Sequence, residues 1–394
     1  MCALSWGVPV DQHHSWVCLH FQVYTQQLPC GASQWDLLYM AELADAYLLH
    51  TECNAAMAAL TALPVDSLDN ETVAWAFDPP GGMGELDSVK QLSARAREWV
   101  TQHLGDLELT LQDADKLLRL QQLPFKAVLA LVSDASTKVH SEGTVVAAVA
   151  LWLEARGLFD VTHGQKQQLA YAIRMVQLPF TYLGSALPRV TWLHGVLDVH
   201  HIGTITVAKG NPQACSRKTL LRLMTMPERM KATWRTWLGD PRPSSSCDAV
   251  DLRVVVPAAD LHSCGRAGEV KTWASSSSVH WGGYQLQAML QLHRDRTMFA
   301  RLGLKATGTP ATFPASCGLQ SLPSGAVLTC TAECIVDGAV KVAKRDTGLW
   351  MDQGWQLFDG LVDMSAGWQP DLLAPYLHDG KLTVRLRITD LQRS

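Results

Sequence analysis

The chain lacks the features that mark several large classes of protein. Its longest apolar runs, such as Val145–Leu153, are far too short to span a bilayer. Its first residues carry neither the basic segment nor the apolar segment of a secretory signal peptide. A formal net charge of −4 gives no global attraction to nucleic acid or anionic membrane. We therefore expect a cytoplasmic or nuclear protein, or one present in both compartments, with no membrane and no nucleic-acid partner.

The sequence also lacks the common catalytic and metal-binding patterns. It has no GxGxxG before a helix, no P-loop, no HExxH and no GxSxG in a usable context. The ten cysteines include no CxxC pair and are typical of small core residues. The adjacent pairs His13-His14 and His200-His201 point apart on regular structure, and no acidic or cysteine cluster accompanies them. We therefore predict no catalytic residue, no metal and no cofactor, and a protein that is not an enzyme.

Two groups of charged residues can be interpreted either as functional sites or as ordinary solvated surface. Asp106, Glu108, Asp113 and Asp115 resemble an acid/base set, but a solvated entry to a helix is favoured. The basic stretch 209–242 could bind RNA or an acidic partner. It contains no evident aromatic stacking platform with basic flanks, so a solvated and partly helical face is favoured.

The first two-thirds of the chain show helical spacing of apolar residues. Trp35–Leu60 predicts two short amphipathic helices joined near His50–Glu52, with Leu48 among the apolar residues at helical spacing. Pro124 and Ser141 are typical of helix starts, and apolar residues follow each of them at helical spacing. Length and pattern together predict two or three domains with helices dominating up to about residue 193.

From Asp251 onward the apolar residues alternate, which is typical of half-buried antiparallel strands. The clearest strands cover Tyr284–Leu292, Leu328–Val336 and Leu382–Ile388. Several such strands between Gly and Pro turns predict a β-sandwich or barrel. Prolines and serines in Pro241–Ser246 indicate a linker in front of it.

Short motifs in Leu120–Gly157 resemble the BACK domain of BTB-containing proteins. They are Leu123-Pro124-Phe125, Ser133-Asp134, Ser141-Glu142 and Trp152-Leu153. A second set, upstream, is similar to the C-terminal half of a BTB fold. It consists of Tyr24-Thr25, followed by Leu37-Leu38, Leu43-Ala44 and Tyr47, with Gln26 in place of the usual glycine.

The C-terminal part resembles a MATH, or TRAF-like, sandwich. The matching residues are Trp281, Gly283 and Tyr284, then Gly354, Trp355 and Phe358, then Tyr376, Asp379 and the final strand. Together the resemblances imply an α+β multidomain protein whose first two-thirds are all-α. Its parts would be a C-terminal half of a BTB-like fold (1–77), a BACK helical domain (85–195), a mixed connector (196–248) and a MATH/TRAF-like β-sandwich (249–394).

Proteins with these modules commonly act as substrate adaptors of cullin-RING ubiquitin ligases. The resemblance therefore implies a non-enzymatic adaptor in the ubiquitin conjugation pathway, with a cullin-type scaffold and a peptide segment of a protein substrate as partners. The implied cullin-contact region contains Tyr24, Tyr47, Leu123 and Phe125. The implied peptide groove contains Trp355 and Leu357, although Trp355 also suits a buried packing position. Because the resemblance does not cover the first half of a BTB fold, the alternative is an interaction or scaffold protein that no longer binds cullin.

Overall fold

The computed structural model describes residues 31–157, 160–178, 239–262 apart from 248, 270–293, 299–307, 327–336, 339–349, 357–359 and 374–392, with isolated positions in 23–28 and 182–236. The chain forms two compact units. The first contains residues 1–105 and 118–136, and the second contains residues 106–117 and 137–394. The division into four parts made from the sequence stays a prediction.

Ten described helices lie in the first two-thirds of the chain and at the start of the sheet region. They are α1 (Gln34–Ala46), α2 (His50–Ala62), α3 (Asn70–Phe77), α4 (Asp87–Leu104), α5 (Leu107–Gln112), α6 (Ala114–Gln122), α7 (Phe125–Ser133), α8 (Glu142–Arg156), α9 (His163–Ala172) and α10 (Ala258–His262). In the first unit α1 packs against α2 and α3, while α4 contacts α2, α3 and α7.

Side-chain caps explain where several helices begin. Ser33 and Asp36 form a reciprocal capping box at the start of α1, and Thr162 and Gln165 do the same for α9. Ser141 caps α8, as the sequence predicts, by accepting a hydrogen bond from the Gly143 amide. These short polar side chains satisfy amide groups that have no partner inside the helix.

Two sequence predictions about the helices need correction. The first two helices join at Tyr47–Leu49 rather than near His50–Glu52. Leu48 there has a φ of +60° and is 74% exposed, so it does not belong to the apolar spacing of either helix as predicted. The other correction concerns α8, whose apolar residues Val145, Val149, Trp152 and Leu153 predict one buried face. The helix is in fact buried on every side from Glu142 to Leu153. A helix surrounded by neighbours needs no polar face.

Two antiparallel sheets form the C-terminal region, which confirms the coarse division into a helical part followed by antiparallel strands. The described strands are β1 (Val250–Pro257), β2 (Val270–Ala274), β3 (Val279–Trp281), β4 (Tyr284–His293), β5 (Phe299–Thr307), β6 (Val327–Val336), β7 (Ala339–Leu349), β8 (Leu357–Asp359) and β9 (Lys381–Gln392). One sheet has the order β1-β9-β6-β7 and the other the order β2-β4-β5-β8, with β3 paired to β4.

The predicted alternation sets the two faces of the first sheet. Leu382, Val384, Leu386 and Ile388 of β9 are all buried, and so are the alternate apolar residues of β1. The opposite face carries ion pairs between neighbouring strands. Arg385 of β9 pairs with Glu333 of β6, which lies directly opposite it, and approaches Asp251 of β1 at 3.8 Å.

A tight turn of the second sheet meets the start of α8. Trp281 and Tyr284 pair across a two-residue hairpin whose glycines, Gly282 and Gly283, both have positive φ. This is the type I′ geometry that favours glycine at both positions. A Cβ added at Gly283 would lie 2.3 Å from the Gly143 carbonyl carbon, so the turn and the helix meet backbone to backbone. Glycine is required on both sides of this contact.

We expect Gly143→Ala to lower the free energy of unfolding by about 1–3 kcal/mol, the usual cost of overpacking. The new methyl group would lie 2.8 Å from the Gly282 carbonyl oxygen and 3.0 Å from the Tyr182 ring. Gly164→Ala in α9 is the matched control, because nothing lies within 4 Å of its added Cβ. Urea denaturation of both variants checks this. Equal stability of the two would contradict the close contact.

Candidate interaction surface

The cysteine thiols that the structure describes and the imidazole of His280 are unreactive in their surroundings. Burial raises the pKa of the Cys53 and Cys247 thiols, and it raises the pKa of Cys334 to about 11. Burial also lowers the pKa of His280 to about 4, so that its imidazole is neutral at pH 7. Thiols of this kind are not activated nucleophiles. Among the described residues no group of three or more His, Cys, Asp or Glu side chains is placed to hold a metal.

Glu108 of α5 is fully buried, so its predicted place in a solvated helix entry was wrong. Its carboxyl group accepts hydrogen bonds from the Thr144 hydroxyl, the His140 amide at 3.1 Å and the Gly282 amide at 3.3 Å. Burial raises the pKa of Glu108 to about 7, although these hydrogen bonds oppose the shift. All of these partners are structural groups, so Glu108 joins α5, α8 and the β3–β4 turn.

Asp106 differs from its buried neighbour. Its carboxyl group accepts hydrogen bonds from the hydroxyls of Ser245 and Ser246, at 2.6 and 2.9 Å, and from the amides of Ser246 and Leu109. Burial alone would raise the pKa of Asp106, but these hydrogen bonds outweigh it and hold the pKa below its usual value. Asp113 and Asp115 are exposed, as predicted. The four acidic residues therefore do not act as one group.

The stretch predicted as a linker is held by hydrogen bonds. We call residues 239–247 the strap. The Val139 amide donates to the Pro243 carbonyl at 3.0 Å, and the Ser245 amide donates to the Val139 carbonyl at 3.3 Å. The Gln177 side chain donates to the Gly239 carbonyl at 2.9 Å. The second compact unit thus continues through the strap without a break.

Arg242 of the strap forms a buried ion pair with Glu142, the first residue of α8. The guanidinium Nε lies 2.7 Å from the carboxylate, and the two side chains are 0% and 2% exposed. The second carboxylate oxygen accepts from the Arg174 amide at 3.1 Å, and Arg242 also donates to the Ala172 carbonyl. The predicted solvated face was therefore wrong for Arg242. Lys209 donates to the Val176 carbonyl, and most of the remaining basic stretch lies outside the described residues.

The first unit presents an exposed aromatic surface on α1. Trp35, Tyr39, Leu43 and Tyr47 follow one another at a spacing of four residues and form a continuous row, which we call the α1 stripe. Trp35 is 50% exposed and Tyr47 is 58% exposed, while the two residues between them are half-buried. The opposite side of α1 is the packed core side, with Leu37, Leu38, Met40, Ala41 and Ala44 buried. Leu48 extends the exposed apolar area beyond the end of the helix.

The sequence-predicted site residues fall in different environments. Tyr47 lies on the α1 stripe, Phe125 is half-buried at the start of α7, and Leu123 is only 1% exposed. Leu123 therefore supports the first unit from within and offers no surface to a partner. Leu357 lies on β8, opposite Gly303 of β5. Tyr24 and Trp355 lie outside the described residues.

Sequence reasoning missed Trp35 and Leu48 as surface residues, although two signals were present. The apolar residues of segment 34–47 cover more of the helix circumference than one core-facing side needs, which is unusual for a helix at a free surface. In addition, the chain contains no Lys or Arg before Lys90, but eleven Asp and Glu residues in positions 1–89. The charge of the chain is therefore unevenly distributed in a way that the total of −4 conceals.

Comparison with known proteins gives no independent identification. No protein-family model matches the chain, and no curated protein sequence matches it. Within the described ranges, no helix combines the length and the apolar character needed to cross a membrane.

Proposed function

We propose that the chain is a non-enzymatic protein–protein interaction adaptor, a substrate-recognition subunit of a cullin-RING ubiquitin ligase. The exposure of Trp35 and Tyr47 beside a well-packed helical core is the observation that carries this proposal. Trp and Tyr are the residues most enriched in binding hot spots. The carboxyl group of Glu108 binds only structural groups, and the buried thiols are not activated as nucleophiles, so both agree with binding as the role of the chain.

The helical part and the sheet region have separate roles in this proposal. The α1 stripe holds the cullin-type scaffold, and the two sheets form a MATH/TRAF-like sandwich that holds the peptide segment of a substrate. Strand β8 is three residues long and ends the described order of the second sheet next to β5. An extended peptide beside β8 would gain affinity from main-chain hydrogen bonds and specificity from side-chain pockets near Leu357.

The test is co-elution of the purified chain with a cullin N-terminal domain in size-exclusion chromatography. We expect a complex at concentrations of tens of micromolar, which corresponds to an affinity of roughly −6 kcal/mol or better. Tyr47→Ala should weaken it, because the tyrosine ring is exposed on the α1 stripe. Val255→Ala is the matched control, since Val255 is an exposed apolar residue of β1 in the second unit. Absence of a complex with the wild-type chain would contradict the ligase assignment.

The second candidate is an interaction or scaffold protein that does not bind cullin. The burial of Leu123 favours it, because one of the four residues of the implied cullin-contact region has no accessible surface. This candidate predicts no complex with the cullin domain but retains a functional α1 stripe. The same chromatography separates the two candidates, and the binding experiment below tests the stripe without a cullin.

A further inference from the structure

Helix α1 has a second apolar side in addition to the one that faces the core. Its core side already buries five residues against α2 and α3. On the other side, the α1 stripe places an indole, a phenol, an isobutyl group and a second phenol one turn apart over about 18 Å. An exposed apolar area of this kind, continued by Leu48, is typical of a protein-binding site.

Acidic residues surround the stripe and select the charge of its partner. Asp36 and Glu42 lie on either side of Tyr39, three residues away along α1. Asp66 lies in the 3-10 helix Val65–Ser67, 3.9 Å from His103, and Asp69 caps the start of α3. Gln34 of α1 holds this segment through the Ser67 carbonyl and the Asp69 amide. No Lys or Arg precedes Lys90 in the sequence, whereas positions 1–89 contain eleven Asp and Glu residues.

The position of Asp45 also favours a basic partner, whatever the number of acidic residues nearby. It lies in the last turn of α1, which contains no basic residue. The negative end of a helix dipole disfavours a carboxylate at this position. A residue that breaks a local rule in this way is expected where it serves binding and not stability. Asp45 and the carbonyl end of α1 both contribute negative charge at the Tyr47 end of the stripe.

We propose that the α1 stripe docks a basic amphipathic helix of a partner protein. Apolar side chains of that helix would cover Trp35, Tyr39 and Tyr47, while its Lys and Arg residues would face Asp36, Glu42 and Asp45. The length of the stripe suits a helix of about three to four turns. The inference rests on the proposed function because it names the partner chemistry of the same surface, but it does not require that partner to be a cullin.

The experiment is a fluorescence anisotropy titration of the full chain with labelled synthetic helices. One peptide of about 18 residues combines a leucine face with a lysine face, and the second has the same pattern with glutamate in place of lysine. We expect saturable binding of the lysine peptide, weakened by salt between about 0.05 and 0.5 M, and none of the glutamate peptide. The double variant Trp35→Ala, Tyr47→Ala should bind about tenfold more weakly.

Two further variants separate charge from apolar contact. Asp45→Lys should reduce binding of the lysine peptide without loss of stability, because a basic residue suits the end of a helix. Val255→Ala should bind like the wild type, since it removes an exposed apolar side chain from the other unit. Circular dichroism of each variant verifies that α1 is still folded.

Several results would overturn the inference. Equal binding of the two peptides, or unchanged binding by the stripe variants, would show that the surface has no such selectivity. No saturable binding of the lysine peptide would reject the proposed partner. Sedimentation showing a dimer that the double variant abolishes and the peptide does not dissociate would assign the stripe to a second copy of the chain. Failure of cullin co-elution alone would reject the ligase proposal and leave this inference intact.

Discussion

Replacement of Arg242 by methionine is expected to lower the free energy of unfolding by about 3–5 kcal/mol, the cost of leaving a buried charge without its partner. Arg242 and Glu142 are both inaccessible to solvent and are joined at 2.7 Å. Methionine keeps most of the side-chain volume but cannot neutralise the Glu142 carboxylate or donate to the Ala172 carbonyl. Urea denaturation followed by tryptophan fluorescence measures the loss.

Two further variants locate the origin of this loss. Arg253→Met is the control, because Arg253 is exposed on β1 and should change stability by no more than about 0.5 kcal/mol. The double variant Glu142→Met, Arg242→Met should recover part of the loss, since it leaves no unpaired charge in the core. A single Arg242→Met variant as stable as Arg253→Met would refute the role of the ion pair in holding the strap.

The second large expected effect is a pH dependence of the folding stability that comes from Glu108. The pKa of this carboxyl group is about 7 in the folded chain against 4.5 for an ordinary glutamate. The folded state therefore holds a proton that the unfolded state releases, and its contribution to stability is complete below pH 4.5 and lost as the pH rises through 7. The difference amounts to about 3 kcal/mol.

The contribution of Glu108 is best measured as a difference between wild type and Glu108→Gln. His280 shifts stability in the opposite direction, because its pKa of about 4 makes the folded state lose stability as the pH falls below 6.5. Asp106, whose pKa is lowered, acts only at more acidic pH. Relative to the glutamine variant, the free energy of unfolding of the wild type should fall by about 1.4 kcal/mol per pH unit between pH 4.5 and 7. Parallel stability curves would show that Glu108 does not titrate there.

Sequence patterns predict local structure here because the deciding contacts are local. The alternation in β9 and the cap at Ser141 depend on neighbours a few residues away, and the structure confirms both. Glu108 and Arg242 were misjudged because burial of a charge depends on remote partners. Glu108 binds Gly282 and Arg242 binds Glu142, at separations of 174 and 100 residues. No local pattern distinguishes such residues from ordinary surface charges.

The α1 stripe could be predicted only in part for a different reason. Residues at a spacing of four mark a helix face that is apolar, but the spacing does not tell which face meets the core. The core face of α1 consists of aliphatic side chains and Met40, none of which has a ring, and it contacts α2 and α3. The larger aromatic rings of Trp35 and Tyr47 remain outside. Side-chain size therefore distinguishes the two apolar faces of α1, whereas hydrophobicity alone does not.

Amide hydrogen exchange of the chain, alone and with the cullin N-terminal domain, tests the central claim most directly. The adaptor account predicts slower exchange over Gln34–Leu49, strongest at the Tyr47–Leu49 connection, where the exposed side chains of Tyr47 and Leu48 would become covered. The exposed face of β1 around Val255 should exchange at the same rate in both samples. Unchanged exchange over Gln34–Leu49 in a sample that contains the complex would contradict the account.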